Sequence, residues 1–172
     1  VDGSENVCSS DLPKLEDMTE TPLPAPGRIA AIQTVSGPEV AANLEIAARL
    51  IAEAAAAGAR LVALPEYFPL ISKDEAAKVR IREPEGAGPL QEFLAAEARR
   101  HGVWLIGGTV PLLAEADDKV RNSTLVYDDQ GRRVARYDKI HLFGFQRGEE
   151  RYDEAATIEA GRTVACFDPP AG

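Results

Sequence analysis

Short apolar runs alternate with longer segments of helical periodicity along most of this chain, and this alternation limits its possible folds more than any other feature. Residues 28–34, 61–64 and 103–106 are short, mostly apolar runs of the kind that form buried strands. Between these runs lie two segments whose apolar residues recur every three or four positions, as in amphipathic helices. The order strand–helix–strand–helix–strand predicts a layered α/β fold.

Both predicted helices have sequence signals at their ends. The first has an apolar face made by Val40, Leu44, Ala47, Ile51 and Ala55. The spacing of Ser36 and Glu39 predicts a capping box before this helix, and Gly58 marks its end. The second helix begins near Pro89, because proline is favoured in the first turn, and ends at Gly102.

The second half of the chain contains a hairpin pattern and a further apolar run. Residues 123–127 and 132–137 flank the sequence Asp-Asp-Gln-Gly at 128–131, which predicts two antiparallel strands joined by a turn. Residues 163–167 predict a last strand, in which Cys166 is expected to be a small buried hydrophobe.

The first 27 residues differ from the rest of the chain. They contain six acids, one base and several prolines, and they lack apolar periodicity. Such a segment buries too little surface to offset its ordering entropy. We therefore expect residues 1–27 to be a disordered or non-native tail and residues 28–172 to form the folded domain.

Composition excludes some classes of partner. The net charge of −9 argues against nucleic acid, since a phosphate backbone requires a basic surface. No apolar run reaches the roughly 18 residues that a membrane span needs, so no membrane partner is expected. Because Cys8 and Cys166 lie in a predicted tail and a predicted strand, a disulfide is not expected, and a reducing, cytoplasmic setting fits best.

Three charged residues are candidates for chemistry. Glu66 lies just past the carboxyl end of a predicted buried strand, where α/β sheets bind ligands, and could act as a general base. Lys139 follows a predicted strand and could place a fixed positive charge beside an oxyanion. Glu154 lies in a polar stretch. Taken singly, each has a simpler interpretation: a capping or ion-paired carboxylate, a solubilising lysine and a solvated surface charge.

Several common catalytic and binding patterns do not occur. The sequence contains no GxSxG nucleophile motif, no Walker A motif and no complete dinucleotide fingerprint. Its two cysteines and two histidines are far apart and have no zinc-site spacing.

Together, however, the charged segments resemble the nitrilase superfamily of carbon–nitrogen hydrolases. LPEYF at 64–68 is similar to the motif around the catalytic glutamate of this family, which maps onto Glu66. RNSTLVYDDQGRRVARYDKIHLF at 121–143 is similar to the hairpin that leads into the catalytic lysine, which maps onto Lys139. YDEAATIEAG at 152–161 resembles the stretch with the second glutamate, which maps onto Glu154. The KIHLF and YDEA segments look closer to the branch acting on amides of small dicarboxylic acids or deaminated glutathione.

The resemblance implies a mechanism based on a cysteine nucleophile. A thiolate attacks an amide carbon, and water hydrolyses the resulting thioester. If the roles of the matching residues in the family apply here, Glu66 is the general base, Lys139 stabilises the oxyanion, and Glu154 positions the lysine and the leaving group. No metal or organic cofactor is implied. The expected partners are a small-molecule amide and, at full length, further copies of the same chain in a homo-oligomer.

The sequence departs from the family pattern at its end. In the family the nucleophilic cysteine follows the second glutamate, and this sequence stops before any such motif. We therefore expect the truncated, amino-terminal part of the four-layer α-β-β-α sandwich of the family, without hydrolytic activity of its own. Hydrolysis of a nitrile or an N-carbamoyl compound is an alternative, as is a non-catalytic ligand-binding or assembly module.

Overall fold

The centre of the fold is a six-stranded sheet. The computed structural model describes residues 27–148 and 150–168, so the tail predicted for 1–27 lies outside the described residues except for Gly27. The strands of this sheet are β1 (Arg28–Ala31), β2 (Ala59–Ala63), β3 (Trp104–Ile106), β4 (Val110–Leu113), β5 (Val120–Tyr127) and β6 (Arg133–Asp138). The helices are α1 (Val40–Ala56), α2 (Ala77–Arg80) and α3 (Pro89–His101).

A separate two-stranded hairpin follows the sheet in the chain. It is formed by β7 (Gly144–Arg147) and β8 (Glu150–Asp153), which pair antiparallel. A short 3-10 helix (Glu154–Ala156) comes directly after β8. Neither strand was predicted, because the sequence there lacks the apolar alternation that indicates a half-buried strand.

The sheet combines parallel and antiparallel pairing. The strands β1, β2 and β3 are parallel neighbours, connected by α1 and by the segment that contains α3. The long strand β5 pairs antiparallel with β3 and β4 along one edge and with β6 along the other. This arrangement confirms the predicted α/β class and the predicted hairpin between β5 and β6.

The core lies between the sheet and the two long helices. α1 packs on β2, α3 packs on β3 and β5, and the two helices contact each other, so they form one layer on the sheet. The most deeply buried side chains of this layer include Ile51, Leu94 and Leu105. Trp104 and Ile106 alternate with Leu105 along β3 and are only partly buried, because they lie on the face of the sheet opposite the helices.

Two details near the amino-terminal end differ from the sequence predictions. β1 was expected to be buried, but it lies at the edge of the sheet and Ile29 is 68% exposed. The capping box is also wrong: Glu39 precedes α1 without a side-chain capping bond, and the Ser36 hydroxyl instead donates to the Phe68 carbonyl at 2.8 Å. The predicted ends of α1 and α3 are confirmed by Gly58 and Gly102, both in the left-handed region.

The strand predicted for residues 163–167 does not form. These residues are mostly exposed and have no regular secondary structure, and the ring of Phe167 stacks on Trp104 at a centroid distance of 6.1 Å. Cys166 is exposed, so the expectation of a small buried hydrophobe is wrong. An apolar run forms a strand only where a neighbouring strand offers hydrogen bonds. Among the helices of the described residues, none has the length and apolar character needed to cross a membrane.

Candidate active site

Glu66 lies on a turn that the sheet holds firmly. β2 ends at Ala63, and the turn that follows packs against residues 107–109 after β3. The backbone of Gly108 is left-handed, and a Cβ there would overlap the carbonyl oxygen of Pro65. The Tyr67 N–H donates to the Thr109 hydroxyl at 2.9 Å. These contacts fix the backbone on both sides of the strand end and therefore the direction of the Glu66 side chain.

Lys139 comes directly after β6. Its backbone N–H donates to the Asn122 carbonyl at 3.0 Å, and its carbonyl accepts from the Gly161 N–H at 2.9 Å. Strand β5 and the residues after the 3-10 helix therefore hold the lysine backbone from two directions.

Glu154 begins the 3-10 helix and is held by Phe143. The Glu154 N–H donates to the Phe143 carbonyl at 3.0 Å, and the Phe143 N–H donates to Glu154 Oε2 at 2.7 Å. This reciprocal pair closes the base of the β7–β8 hairpin. Glu154 is almost completely buried, so its interpretation as a solvated surface charge does not hold.

The three predicted side chains meet at the lysine ammonium. Lys139 Nζ lies 3.0 Å from Glu66 Oε1 and 3.0 Å from Glu154 Oε1. The exposed fraction of the side chain is 45% for Glu66, 22% for Lys139 and 4% for Glu154. The structure thus brings together all three candidates, with Glu66 the most accessible and Glu154 the least.

The electrostatics of this cluster favour charged side chains. Burial opposes the carboxylate form of Glu154, but hydrogen bonds from the Phe143 N–H, Lys139 and Tyr67 outweigh it and lower the pKa of Glu154. Burial likewise opposes the ammonium form of Lys139, yet its bonds to Glu154 and Glu66 raise the pKa of Lys139. At neutral pH the cluster therefore contains a fixed ammonium beside the Glu154 carboxylate.

An open pocket of about 330 Å³ adjoins the cluster. It is lined by Leu64, Glu66, Ile106, Gly108, Thr109, Asn122, Thr124, Tyr137 and Lys139. Apolar walls with a few convergent polar groups are typical of sites for small molecules, and the volume falls in the size range of such sites. A carboxylate beside an ammonium is an arrangement that general acid–base chemistry and the stabilisation of negative charge can use.

Two further polar residues in the site were missed in the sequence. The Asn122 side chain, which is buried, donates to Glu66 Oε1 at 2.7 Å. The Tyr67 hydroxyl donates to Glu154 Oε1 at 2.8 Å. Asn122 lies in β5, the first strand of the hairpin that leads to Lys139, and a polar residue in a buried strand was the available signal. The position of the Tyr67 hydroxyl depends on a left-handed backbone, which no sequence pattern indicates here.

The described residues contain no group of three or more His, Cys, Asp or Glu side chains arranged to hold a metal ion. The charged groups of the cluster are instead paired with one another.

Comparison with known proteins shows the family of the chain. A family model described as carbon-nitrogen hydrolase matches residues 28–172. The chain belongs to the carbon-nitrogen hydrolase family. Two relatives are a deaminated glutathione amidase from Yersinia enterocolitica, 34% identical, and the omega-amidase NIT2-B from Xenopus laevis, 33% identical. The matches cover 84% and 83% of this chain, and each covers 51% of the relative. This carbon-nitrogen hydrolase chain thus spans about half the length of these relatives.

Solved structures confirm the predicted fold class. The C. elegans NitFhit protein superposes with a TM-score of 0.68 at 25% identity, covering 84% of this chain and 35% of the other. Saccharomyces cerevisiae Nit3, a member of the nitrilase superfamily, superposes with a TM-score of 0.66 at 27% identity, covering 80% and 49%. The carbon-nitrogen hydrolase chain therefore has the nitrilase-superfamily fold, as the sequence resemblance implied.

Proposed function

We propose that the protein is an amidase that releases ammonia from a small carboxamide. The observation that carries the proposal is the position of Lys139 Nζ, hydrogen-bonded to Glu66 and Glu154 beside a pocket of small-molecule size. The carbon-nitrogen hydrolase family and the amidase relatives support this reaction class.

In the proposed reaction Glu66 is the general base. It takes the proton of a cysteine thiol, and the thiolate sulfur forms a bond to the amide carbon. The tetrahedral oxyanion is stabilised by the Lys139 ammonium. Collapse of this intermediate breaks the carbon–nitrogen bond, and the proton held by Glu66 goes to the departing ammonia. Glu66 then takes a proton from water, whose oxygen attacks the thioester carbon. The carbon–sulfur bond breaks to release the acid, and Glu66 returns the proton to the sulfur to regenerate the thiol.

Glu154 is proposed to orient the lysine and the leaving group. It is buried, accepts a hydrogen bond from Lys139 and is itself held by Phe143. A carboxylate without access to solvent is suited to fixing a neighbouring charge rather than to exchanging protons with water.

The nucleophile is proposed to be a cysteine outside these 172 residues. Cys166 is exposed in an irregular segment and does not line the pocket beside Lys139. The polypeptide of residues 1–172 is therefore expected to be inactive by itself. We also propose that the substrate is an amide of a small dicarboxylic acid or of deaminated glutathione, in keeping with the names of the two relatives.

The test is ammonia release by the full-length protein from a panel of small amides, nitriles and N-carbamoyl compounds. We expect release from amides, and this release should stop when the proposed nucleophilic cysteine, which lies outside residues 1–172, is replaced by alanine. Release only from nitriles or N-carbamoyl compounds would change the substrate class. No release from any of them by a folded protein would support a non-catalytic ligand-binding or assembly module instead.

Assembly and location are further parts of the proposal. We expect the full-length protein to form a homo-oligomer, which the molar mass from light scattering would show or refute. A cytoplasmic location stays a prediction from the low cysteine content. Cell fractionation of the natural host tests it.

A further inference from the structure

One oxygen of Glu154 is shared by two donors. Oε1 accepts from the Tyr67 hydroxyl at 2.8 Å and from Lys139 Nζ at 3.0 Å. The other oxygen, Oε2, accepts from the Phe143 N–H at 2.7 Å and lies 2.9 Å from Lys139 Nζ. Tyr67 is the residue directly after Glu66, so the turn that presents the proposed base also reaches the second glutamate.

The backbone of Tyr67 adopts an unfavourable conformation. With φ at 56°, Tyr67 is the one non-glycine residue in the described part of the chain with a positive φ. Side chains with a Cβ disfavour this region, and such strain persists only where surrounding contacts enforce it. Here the enforcing contacts are the bond from the Tyr67 N–H to Thr109 and the bond from its hydroxyl to Glu154.

The ring of Tyr67 is also held on its face. Lys78 Nζ lies 5.8 Å from the centre of the ring and donates to the Thr157 hydroxyl at 3.2 Å. The Thr157 N–H in turn donates to the Glu154 carbonyl at 3.1 Å. The phenol is thus oriented from the side of α2 as well as from its own turn.

The geometry points to Tyr67 as a positioning residue whose phenol holds the Glu154 carboxylate in the orientation that orders Lys139. This inference rests on the proposed function, in which Lys139 stabilises the oxyanion. Removing the hydroxyl leaves a buried carboxylate with one donor fewer, so protonation of Glu154 becomes easier and the Lys139 ammonium is less well ordered. Burial and the bond to Glu154 raise the pKa of Tyr67, so the phenol stays a donor throughout the working range.

The test is Tyr67→Phe in the full-length protein, since phenylalanine keeps the ring and removes only the hydroxyl. We expect kcat to fall about tenfold while KM changes less than about twofold, because the lost bond acts through the lysine on the transition state. The acid limb of the pH profile of kcat/KM should move to higher pH, since the pKa of Glu154 rises when it loses a donor. An unchanged kcat and an unchanged acid limb would overturn the inference.

Tyr127→Phe is the matched control. Tyr127 is a buried tyrosine of β5 whose pKa is raised by burial to about 12, and it does not line the pocket beside Lys139. This variant should leave the pH profile unchanged, and melting curves of both variants separate any loss of folding. In a Glu154→Gln background, Tyr67→Phe should change kcat by less than about threefold, because the two groups act as one unit. A full tenfold loss there would show a role independent of Glu154.

A second measurement does not depend on activity. Carboxyl ¹³C NMR of labelled glutamate, with Glu154 assigned from Glu154→Gln, follows its titration directly. Tyr67→Phe should raise the pKa of Glu154 by about one unit, which corresponds to the same free energy as the tenfold change in kcat expected above. If the wild type hydrolyses no amide, the proposed function fails while this titration still decides the inference: a shift supports positioning of Glu154 by Tyr67, and no shift overturns it.

Discussion

The six-stranded sheet and residues 139–161 position the parts of the site by different means. The sheet places Glu66 at the end of a strand packed on two helices, and the contact between Pro65 and Gly108 fixes the turn. Residues 139–161 contain the hairpin of β7 and β8, and Glu154 closes the base of this hairpin through its paired bonds with Phe143. Glu66 is thus positioned by surrounding residues, whereas Glu154 itself stabilises the structure around it.

Because of this difference, substitutions of the two glutamates should affect function and stability to different degrees. Changing Glu66 removes a partly exposed carboxylate from a turn that other residues maintain, so function should be lost without unfolding. Changing Glu154 removes a buried carboxylate that three donors satisfy, so function and local structure should be lost together. Effects on turnover should decrease from the proposed base to the exposed hairpin.

Glu66→Gln in the full-length protein should lower kcat by at least about 1000-fold, because an amide side chain cannot accept the proton that a general base must take. Its free energy of unfolding should change by less than about 1 kcal/mol, since the ion pair with Lys139 is partly exposed. Ammonia release and thermal melts measure the two. Glu92→Gln on the exposed side of α3 is the control and should leave both unchanged. Activity near that of the wild type would refute the base assignment.

Glu154→Gln should lower kcat by about 100-fold and destabilise the protein by about 2 kcal/mol. Hydrogen bonds in the folded state lower the pKa of Glu154, so its stabilising effect is present above the unfolded pKa and is lost as the pH falls through the folded pKa. The difference in stability between wild type and variant should therefore narrow in acid. Denaturant titrations at several pH values measure it.

Glu53→Gln is the control for this prediction, because Glu53 forms an exposed pair with Arg49 on α1. Its loss should cost less than about 0.5 kcal/mol. A Glu154→Gln variant as stable as this control at neutral pH would show that Glu154 does not anchor the hairpin.

Gly108→Ala should destabilise the protein by about 2–3 kcal/mol and lower kcat by about tenfold. A Cβ at this position overlaps the Pro65 carbonyl and demands a left-handed alanine, so the Glu66 turn must move. Urea titration and ammonia release measure the two effects. Gly37→Ala is the matched control: a methyl group there would have no atom within 4 Å. Its stability should change by less than about 1 kcal/mol.

Phe145→Ser should have the smallest effect, with kcat within about twofold of the wild type and stability within about 0.5 kcal/mol. Phe145 lies in β7 and is 47% exposed, so only about half of it is buried. Leu105→Ala in β3 is the counterpart from the sheet and should cost about 3 kcal/mol, because Leu105 is completely buried. Equal losses of stability in the two variants would contradict the view that the sheet carries the stability of the fold and the hairpin contributes little to it.

The sequence predicts the central strands and the two long helices because their patterns of apolar residues are determined by burial. α1 and α3 show the 3.6-residue period, and β2 and β3 are apolar because they lie inside the sheet. β4 was not predicted: it contains Pro111, a residue typical of sheet edges, and its pairing with β5 depends on contacts that the local sequence does not show. At residues 163–167 the error is the reverse: a strand was predicted and does not form. The composition of an apolar run does not specify whether a neighbouring strand is available to pair with it.

The site was predictable only in part for a related reason. Strand ends indicated Glu66 and Lys139, but the burial of Glu154 depends on the backbone of Phe143, which local sequence does not show. The resemblance to the nitrilase superfamily supplied Glu154. The bonds from Asn122 and Tyr67 join segments far apart in the chain and became visible only in three dimensions.

The bonds of Lys139 have a consequence for the direction from which a substrate can approach. An ammonium group has three N–H bonds arranged as a tripod. Glu66 Oε1 and both oxygens of Glu154 lie within 3.0 Å of Nζ, so the two carboxylates occupy two sides of the nitrogen and the remaining donor direction defines an axis that points away from both. A substrate oxygen that approaches along this axis completes the tetrahedron around the nitrogen. In the proposed reaction we therefore expect the two glutamates to restrict the directions from which a substrate oxygen can reach the ammonium.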